Sequence, residues 1–279
     1  MLNDKKLRED IKVSVARSLA EDIGDGDITA LLIPESTISD AVVVTREHGV
    51  LCGQAWFDEV FQQLDPNIEI KWLVNDGDTL VPEQLMCRLS GSARSLLTGE
   101  RTALNFIQTL SGTATTAREY FKLASKNGLT ILDTRKTIPG LRLAQKYAVV
   151  TGGCQNHRLG LYDAFLIKEN HIAACGGIKP AVQKAKEICP EKLIEVEVEN
   201  LLEFQEALNT QADVIMLDNF DSIMIQQAVA MKTQKIKLEV SGNIDVKNIS
   251  QKDLSGIDYL SSGSLTKHCR AIDFSMRLK

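Results

Sequence analysis

Six short clusters in this 279-residue chain combine residue types that act on small charged molecules. They are Asp133-Thr134-Arg135-Lys136, Lys168-Glu169-Asn170-His171, Glu195-Val196-Glu197-Val198-Glu199-Asn200, Leu217-Asp218-Asn219, Ser241-Gly242-Asn243 and Ser261-Ser262-Gly263-Ser264. The first two are cationic, and between them lies Gly152-Gly153-Cys154-Gln155-Asn156-His157-Arg158. Arginine offers a planar fork to carboxylate or phosphate, and lysine a compact charge. Glycines ahead of His157 and Arg158 let the backbone turn tightly and approach a ligand. Taken singly, Arg135 or Arg158 would serve equally well as a partner for a helix carboxylate.

The middle clusters are anionic. Glu195, Glu197 and Glu199 alternate, so a strand would send all three to one face, which must meet water, cations or a barrel interior. Glu197 and Asp218 suit a shared Mg2+, the stabilisation of positive charge on a reacting sugar carbon, or an ion-pair network with Lys168. The last two clusters offer hydroxyls and backbone N–H groups ahead of following helices, the usual makings of a phosphate site. A ligand with carboxylates, a phosphorylated sugar and bound Mg2+ satisfies all three groups. The histidines show no metal-ligand spacing and the six cysteines no Cys-X-X-Cys pair, so a structural zinc is not expected; His48 and His268 read as surface or core-packing residues.

Each cluster closes a short apolar run: Leu129–Leu132, Ala164–Ile167, Leu193–Val198, Val214–Leu217, Ile236–Val240 and Ile257–Leu260. Their starts lie 35, 29, 21, 22 and 21 residues apart, the pace of successive βα units, which predicts a parallel α/β barrel or a doubly wound sheet. No Gly-X-Gly-X-X-Gly follows a strand, so the barrel is favoured, with its chemistry where strands end. The first hundred residues read as mixed α and β. Ile11, Val15, Ser18 and Leu19 share a helical face, Ala41–Thr45 and Ile68–Val74 are strand-like, and a long helix runs from Ser92 to about Lys126 with a break near Ser111-Gly112.

Composition narrows the partners. Thirty-two Lys and Arg against 37 Asp and Glu give a net charge of −5, and aromatics make up 5%. That excludes a general nucleic-acid binder, which needs a basic field and stacking rings, and makes any anion site a local exception. No run is long enough for a membrane span, the N-terminus has no apolar signal core, and scattered cysteines predict reduced thiols in a cytoplasm.

Several longer segments carry a more specific message: Asp25-Gly26-Asp27-Ile28-Thr29, the run Leu97–Phe106 (Leu-Thr-Gly-Glu-Arg-Thr-Ala-Leu-Asn-Phe), Asp133–Gly140, Asn156–Leu161, Leu166–His171, Met216–Phe220 and Leu265–His268. In this order and over nearly the whole chain they resemble the quinolinate phosphoribosyltransferases. The resemblance implies an incomplete parallel α/β barrel of about seven strands over 111–266. It also implies an N-terminal α+β sandwich domain over 1–110, rejoined by the tail 267–279. It further implies transfer of phosphoribosyl from phosphoribosyl pyrophosphate to quinolinate with decarboxylation, giving nicotinate mononucleotide for de novo NAD biosynthesis. By the same resemblance Arg135, His157, Arg158 and Lys168 hold the quinolinate carboxylates, and Lys136 lies near the pyrophosphate or substrate. Glu197 and Asp218 face the ribose and Mg2+, while Ser241, Gly242 and Gly263 bind the 5′-phosphate. Lys136, Lys168, Glu197 and Asp218 are the expected catalytic set. Arg101 is expected to reach into the neighbouring subunit's site, so the partners are the two substrates and a second copy in a homodimer or a larger assembly, with neither nucleic acid nor membrane. Cys154 departs from the family's usual glycine. Two rival expectations stand beside this one: a related barrel protein of molybdenum-transport operons, and a lyase using Lys168 as a Schiff-base nucleophile.

Overall fold

The computed structural model describes residues 4–124, 128–233, 235–242 and 253–279. They form two compact units: 1–118 with 137–153 and 265–279, and 119–136 with 154–264. Residues 137–153, which the sequence assigned to the barrel, group instead with the first unit.

The first unit begins with α1 (Asp4–Ile23), whose Ile11, Ser14, Val15 and Leu19 are buried at helical spacing. Then come β1 (Ile38–Thr45), β2 (Gly49–Val50), α2 (Gln54–Leu64), β3 (Glu69–Trp72), β4 (Thr79–Leu80), β5 (Leu85–Ser92) and α3 (Ala93–Ala124). After the chain visits the second unit, α4 (Arg142–Thr151) returns to the first. Its sheet runs in the order β12-β1-β5-β3, antiparallel throughout; β12 (Phe274–Leu278) is the tail, pairing Val43 with Met276. The sheet, α2 and α3 enclose a core with Trp56, Phe57, Phe61, Leu89, Leu96 and Ile107. Phe57 is packed on both sides, by Phe61 at 5.2 Å and edge-on by Trp72 at 5.1 Å between ring centroids.

One expectation is corrected here. The long helix does not break at Ser111-Gly112; α3 is continuous for 32 residues. Gly112 is there for proximity: a Cβ would lie 2.1 Å from the Arg270 carbonyl oxygen of the returning tail. Glycine in this helix marks a close backbone approach and not a stop.

The second unit is a parallel sheet of six strands: β6 (Thr130–Leu132), β7 (Phe165–Ile167), β8 (Ile194–Val198), β9 (Val214–Asp218), β10 (Lys237–Ser241) and β11 (Tyr259–Ser261). The order β6-β11-β10-β9-β8-β7 brings the first strand beside the last, as a barrel does, and leaves β6 and β7 as edges. A single bridge from Leu132 to Gln155 extends the β6 edge, so the barrel is incomplete. Six named strands stand where about seven were expected, among the described residues. Between strands lie α5 (Glu169–Cys175), α6 (Ile178–Ile188), α7 (Leu201–Leu208) and α8 (Ser222–Met231), while the short α9 (Ser264–Lys267) follows β11. On α6, Ile178, Ala181, Val182 and Ala185 are buried at i, i+3, i+4 and i+7. Caps fix where the later helices start: the Asn200 side chain accepts from the N–H groups of Leu202 and Glu203, and Asp221 accepts from Met224 N–H. No described helix is long and apolar enough to cross a membrane.

Candidate active site

The strand ends of the second unit surround a cavity of about 320 Å3. Arg135, Lys136, His157, Arg158, Lys168, Glu197 and Ser241 line it, together with Thr134 and Ser261. Seven of the eleven residues singled out from the sequence therefore meet in one place. Asp218 ends β9, paired in register with Ser241, and donates no hydrogen but accepts one from Asn219 Nδ2 at 2.9 Å. Gly242 needs to be glycine twice over: its φ is 97°, and a Cβ would meet Asn219 Oδ1 at 2.3 Å. A Cβ on Gly263 would meet Lys136 Cδ at 2.8 Å, so this glycine makes room for the lysine stem. Arg101 belongs to the first unit, exposed on α3. Asn243 lies outside the described residues.

Local hydrogen bonds aim these side chains. Asp133, fully buried at the end of β6, accepts from Asn156 Nδ2 at 2.7 Å and from the His157 N–H at 2.9 Å. That ties the loop before Arg158 to the strand end. Gly153 (φ 107°) supplies the turn anticipated there. Cys154 is buried and, since only Glu83 and Asn219 among described non-glycine residues have positive φ, its backbone does not demand glycine. Beyond Arg158, both Asp163 oxygens accept backbone N–H groups, from Leu159 at 2.6 Å and Gly160 at 2.9 Å. The Lys168 N–H donates to His171 Nδ1 at 3.0 Å, fixing the start of α5 and with it the lysine.

Charge is arranged in two levels. At the rim, Lys168 Nζ and Glu197 Oε2 form an ion pair at 2.5 Å, one of the options open from the sequence. Arg158 is held below the usual guanidinium range, first by burial and then by neighbouring Arg135, with Glu195 and Asp163 opposing. One interior step deeper, His157 Nε2 lies 2.8 Å from Glu195 Oε2 and 3.8 Å from Glu239 Oε2. Burial pushes the Glu195 carboxyl up to about 7 against the pull of Arg158 and Lys168. Burial first, then the Glu195 charge, pushes Glu239 up to about 8.

The three ligand atoms of His157, Glu195 and Glu239 lie within 4.8 Å of one another, close enough to hold a cation. The histidine argues for a proton instead. Its Nδ1 accepts the Arg158 N–H at 2.7 Å, which puts the ring proton on Nε2, facing Glu195 and occupying the lone pair a metal would need. Sequence reasoning noticed Glu195 in its alternating run but missed Glu239, a single carboxylate inside an apolar run. The alternation Lys237-Glu239-Ser241 was the signal available. Glu199, by contrast, lies beyond the end of β8 and is exposed.

By its chemistry the arrangement suits an anion with several negative groups, with Glu197 able to face positive charge. Comparison with known proteins identifies the family. Residues 27–111 match the model of the quinolinate phosphoribosyl transferase N-terminal domain, and 113–277 that of the C-terminal domain. A probable nicotinate-nucleotide pyrophosphorylase (carboxylating) of Bacillus subtilis is 41% identical over 92% of this chain and 89% of its own length. The chloroplastic nicotinate-nucleotide pyrophosphorylase (carboxylating) of Arabidopsis thaliana is 36% identical over 96% and 83%. The solved nicotinate-nucleotide pyrophosphorylase of Francisella tularensis superposes with a TM-score of 0.94 at 50% identity, covering 98% of this chain and 97% of that one. With both domain models matched end to end and the fold shared, the chain belongs to the quinolinate phosphoribosyltransferase family.

Proposed function

We propose that the chain is a pentosyltransferase that joins quinolinate to phosphoribosyl pyrophosphate, releasing pyrophosphate and CO2 and giving nicotinate mononucleotide for de novo NAD biosynthesis. The observation that carries this is the convergence of Arg135, Lys136, Arg158 and Lys168 on one cavity that Glu197 also lines, in a chain whose net charge is −5. Quinolinate brings two adjacent ring carboxylates, which guanidinium forks and an ammonium match in number and shape.

The ring nitrogen attacks the anomeric carbon as the bond to pyrophosphate breaks, so positive charge builds on the sugar. Glu197, which lines the cavity, and Asp218, at the end of the neighbouring β9, would stabilise it electrostatically. The carboxylate next to the ring nitrogen then leaves as CO2. Its electron pair remains on the ring carbon beside the now cationic nitrogen, and that carbon takes up a proton. Lys136, with its stem laid against Gly263, would hold the leaving pyrophosphate or the substrate carboxylate in place. The donor set of Glu197 and Asp218 fits Mg2+: two hard oxygen ligands leave most positions to water and phosphate. When bound, Mg2+ supplies charge neutralisation to the leaving pyrophosphate.

Lys168 is committed to Glu197, which disfavours the rival in which it acts as a free amine nucleophile. The motif Gly99-Glu100-Arg101-Thr102 and the exposure of Arg101 support its action in the site of a second copy, and hence a homodimer. Mixing inactive Arg101→Ala and Lys168→Ala proteins should then restore partial activity once subunits have exchanged; no recovery would place Arg101 outside the site. All six cysteines are free thiols, which fits a reducing cytoplasm.

The decisive experiment incubates purified protein with quinolinate, phosphoribosyl pyrophosphate and Mg2+. Nicotinate mononucleotide and CO2 should appear in equal amounts, and absence of both would refute the assignment.

A further inference from the structure

We infer that Glu195 and Glu239 are positioning residues that set the carboxylate-binding Arg158 by way of His157. The inference rests on the cavity being the quinolinate site.

Three features point to it. Strand alternation places Glu195 one interior step below Glu197 on β8, and Glu239 one step below Ser241 on β10, so the pair lies under the cavity floor. The imidazole has both nitrogens engaged along one line: Nε2–H toward Glu195 at 2.8 Å, Nδ1 receiving the Arg158 N–H at 2.7 Å. It is therefore a strut between the buried carboxylates and the arginine backbone, while Asp133 holds the other side of the same loop. Finally, the arrangement is costly as structure. Glu195 and Glu239 side chains are 3% and 1% exposed, and Oε1 of each has no hydrogen-bond partner. Buried carboxylates left partly unsatisfied destabilise a core that apolar residues would fill at no loss. Their return is electrostatic and geometric: Glu195 attracts Arg158 from beneath while Arg135 repels it across the cavity.

The effect should therefore fall on quinolinate and spare the second substrate. At pH 8, above the value of about 7 to which burial raises Glu195, Glu195→Gln keeps an acceptor for the Nε2–H but loses the charge, and Glu195→Leu loses both. Quinolinate KM, and its dissociation constant by calorimetry, should rise about tenfold in Glu195→Gln, about the worth of one charge-assisted hydrogen bond. The rise should be larger in Glu195→Leu, whereas KM for phosphoribosyl pyrophosphate changes by less than about twofold. Glu239→Gln, nearly isosteric, should shift the same constant in the same direction and carries the test if the leucine variant does not fold.

In an Arg158→Met background the further effect of Glu195→Gln should shrink to under about twofold, because a residue acting through Arg158 has nothing left to position. Equal rises in both Michaelis constants, unchanged quinolinate affinity in folded Glu195→Gln, or full additivity with Arg158→Met would each overturn the inference. Calorimetry reads quinolinate binding directly, so a wild-type protein that binds quinolinate but makes no nucleotide would refute the proposed reaction and leave the positioning result standing on its own.

Discussion

Two charged clusters of the second unit, one at the N-terminal ends of β10 and β11 and one inside β8 and β10, are built on opposite principles. At the N-terminal end, Asp258 accepts Lys232 Nζ at 2.5 Å, Lys237 Nζ at 2.8 Å and the Leu238 N–H at 2.9 Å. Burial works against its charge, yet these donors hold the carboxyl below the usual range. Inside β8 and β10, beneath the cavity, Glu195 and Glu239 are more deeply buried, face each other and are pushed up. Above them cations gather beside cations. The first cluster matches its charges and closes the structure; the second sets carboxylate beside carboxylate and lies beneath the strand ends where barrels place chemistry.

The contrast is sharpest for single substitutions. Removing the ammonium in Lys168→Met should lower kcat/KM by about a thousandfold, as expected for a charge that meets substrate in a desolvated site. Activity within tenfold of wild type would break the distinction between the two ends. Asp258→Asn should do the reverse, with transfer rates within about twofold and a stability loss of about 1–2 kcal/mol in chemical denaturation, the scale of a partly buried, multiply bonded ion pair. A loss of activity without a loss of stability would count against a purely structural role.

The smallest effect is a slope. Glu195 and Glu239 hold protons in the folded chain at pH values where the unfolded chain has lost them, so stability falls as pH rises from about 4.5 to about 8. Asp258 works the other way: its contribution is present above about 3.8 and is lost as pH falls below that. Denaturation midpoints across pH should show the alkaline fall flattened in Glu239→Gln and the acid fall flattened in Asp258→Asn. Parallel curves for both variants and wild type would erase the difference.

Much of this was legible in the chain because parallel strands buried on both faces leave plain apolar runs. Leu193–Val198 became β8 over Ile194–Val198, and Val214–Leu217 became β9 with one residue added. The rim clusters were legible for a related reason: charge at the end of such a run has few structural uses. Three features were hidden because they depend on distant partners. Gly112 reads as a helix stop until the Arg270 carbonyl is seen against it. Glu239 reads as an incidental charge until the fold brings it near Glu195 and His157. Residues 137–153 follow a barrel strand in sequence, but Gln145, fully buried, donates to the Thr266 carbonyl at 2.8 Å in the first unit.

The central claim is that an acidic protein focuses cations on a ligand carrying two adjacent carboxylates. Calorimetric titration of the wild-type protein with quinolinate and, separately, with nicotinate, which lacks one of those carboxylates, tests it most directly. Quinolinate should bind at least about tenfold more tightly, the equivalent of one charge-assisted contact. Equal affinity for the two would contradict the account.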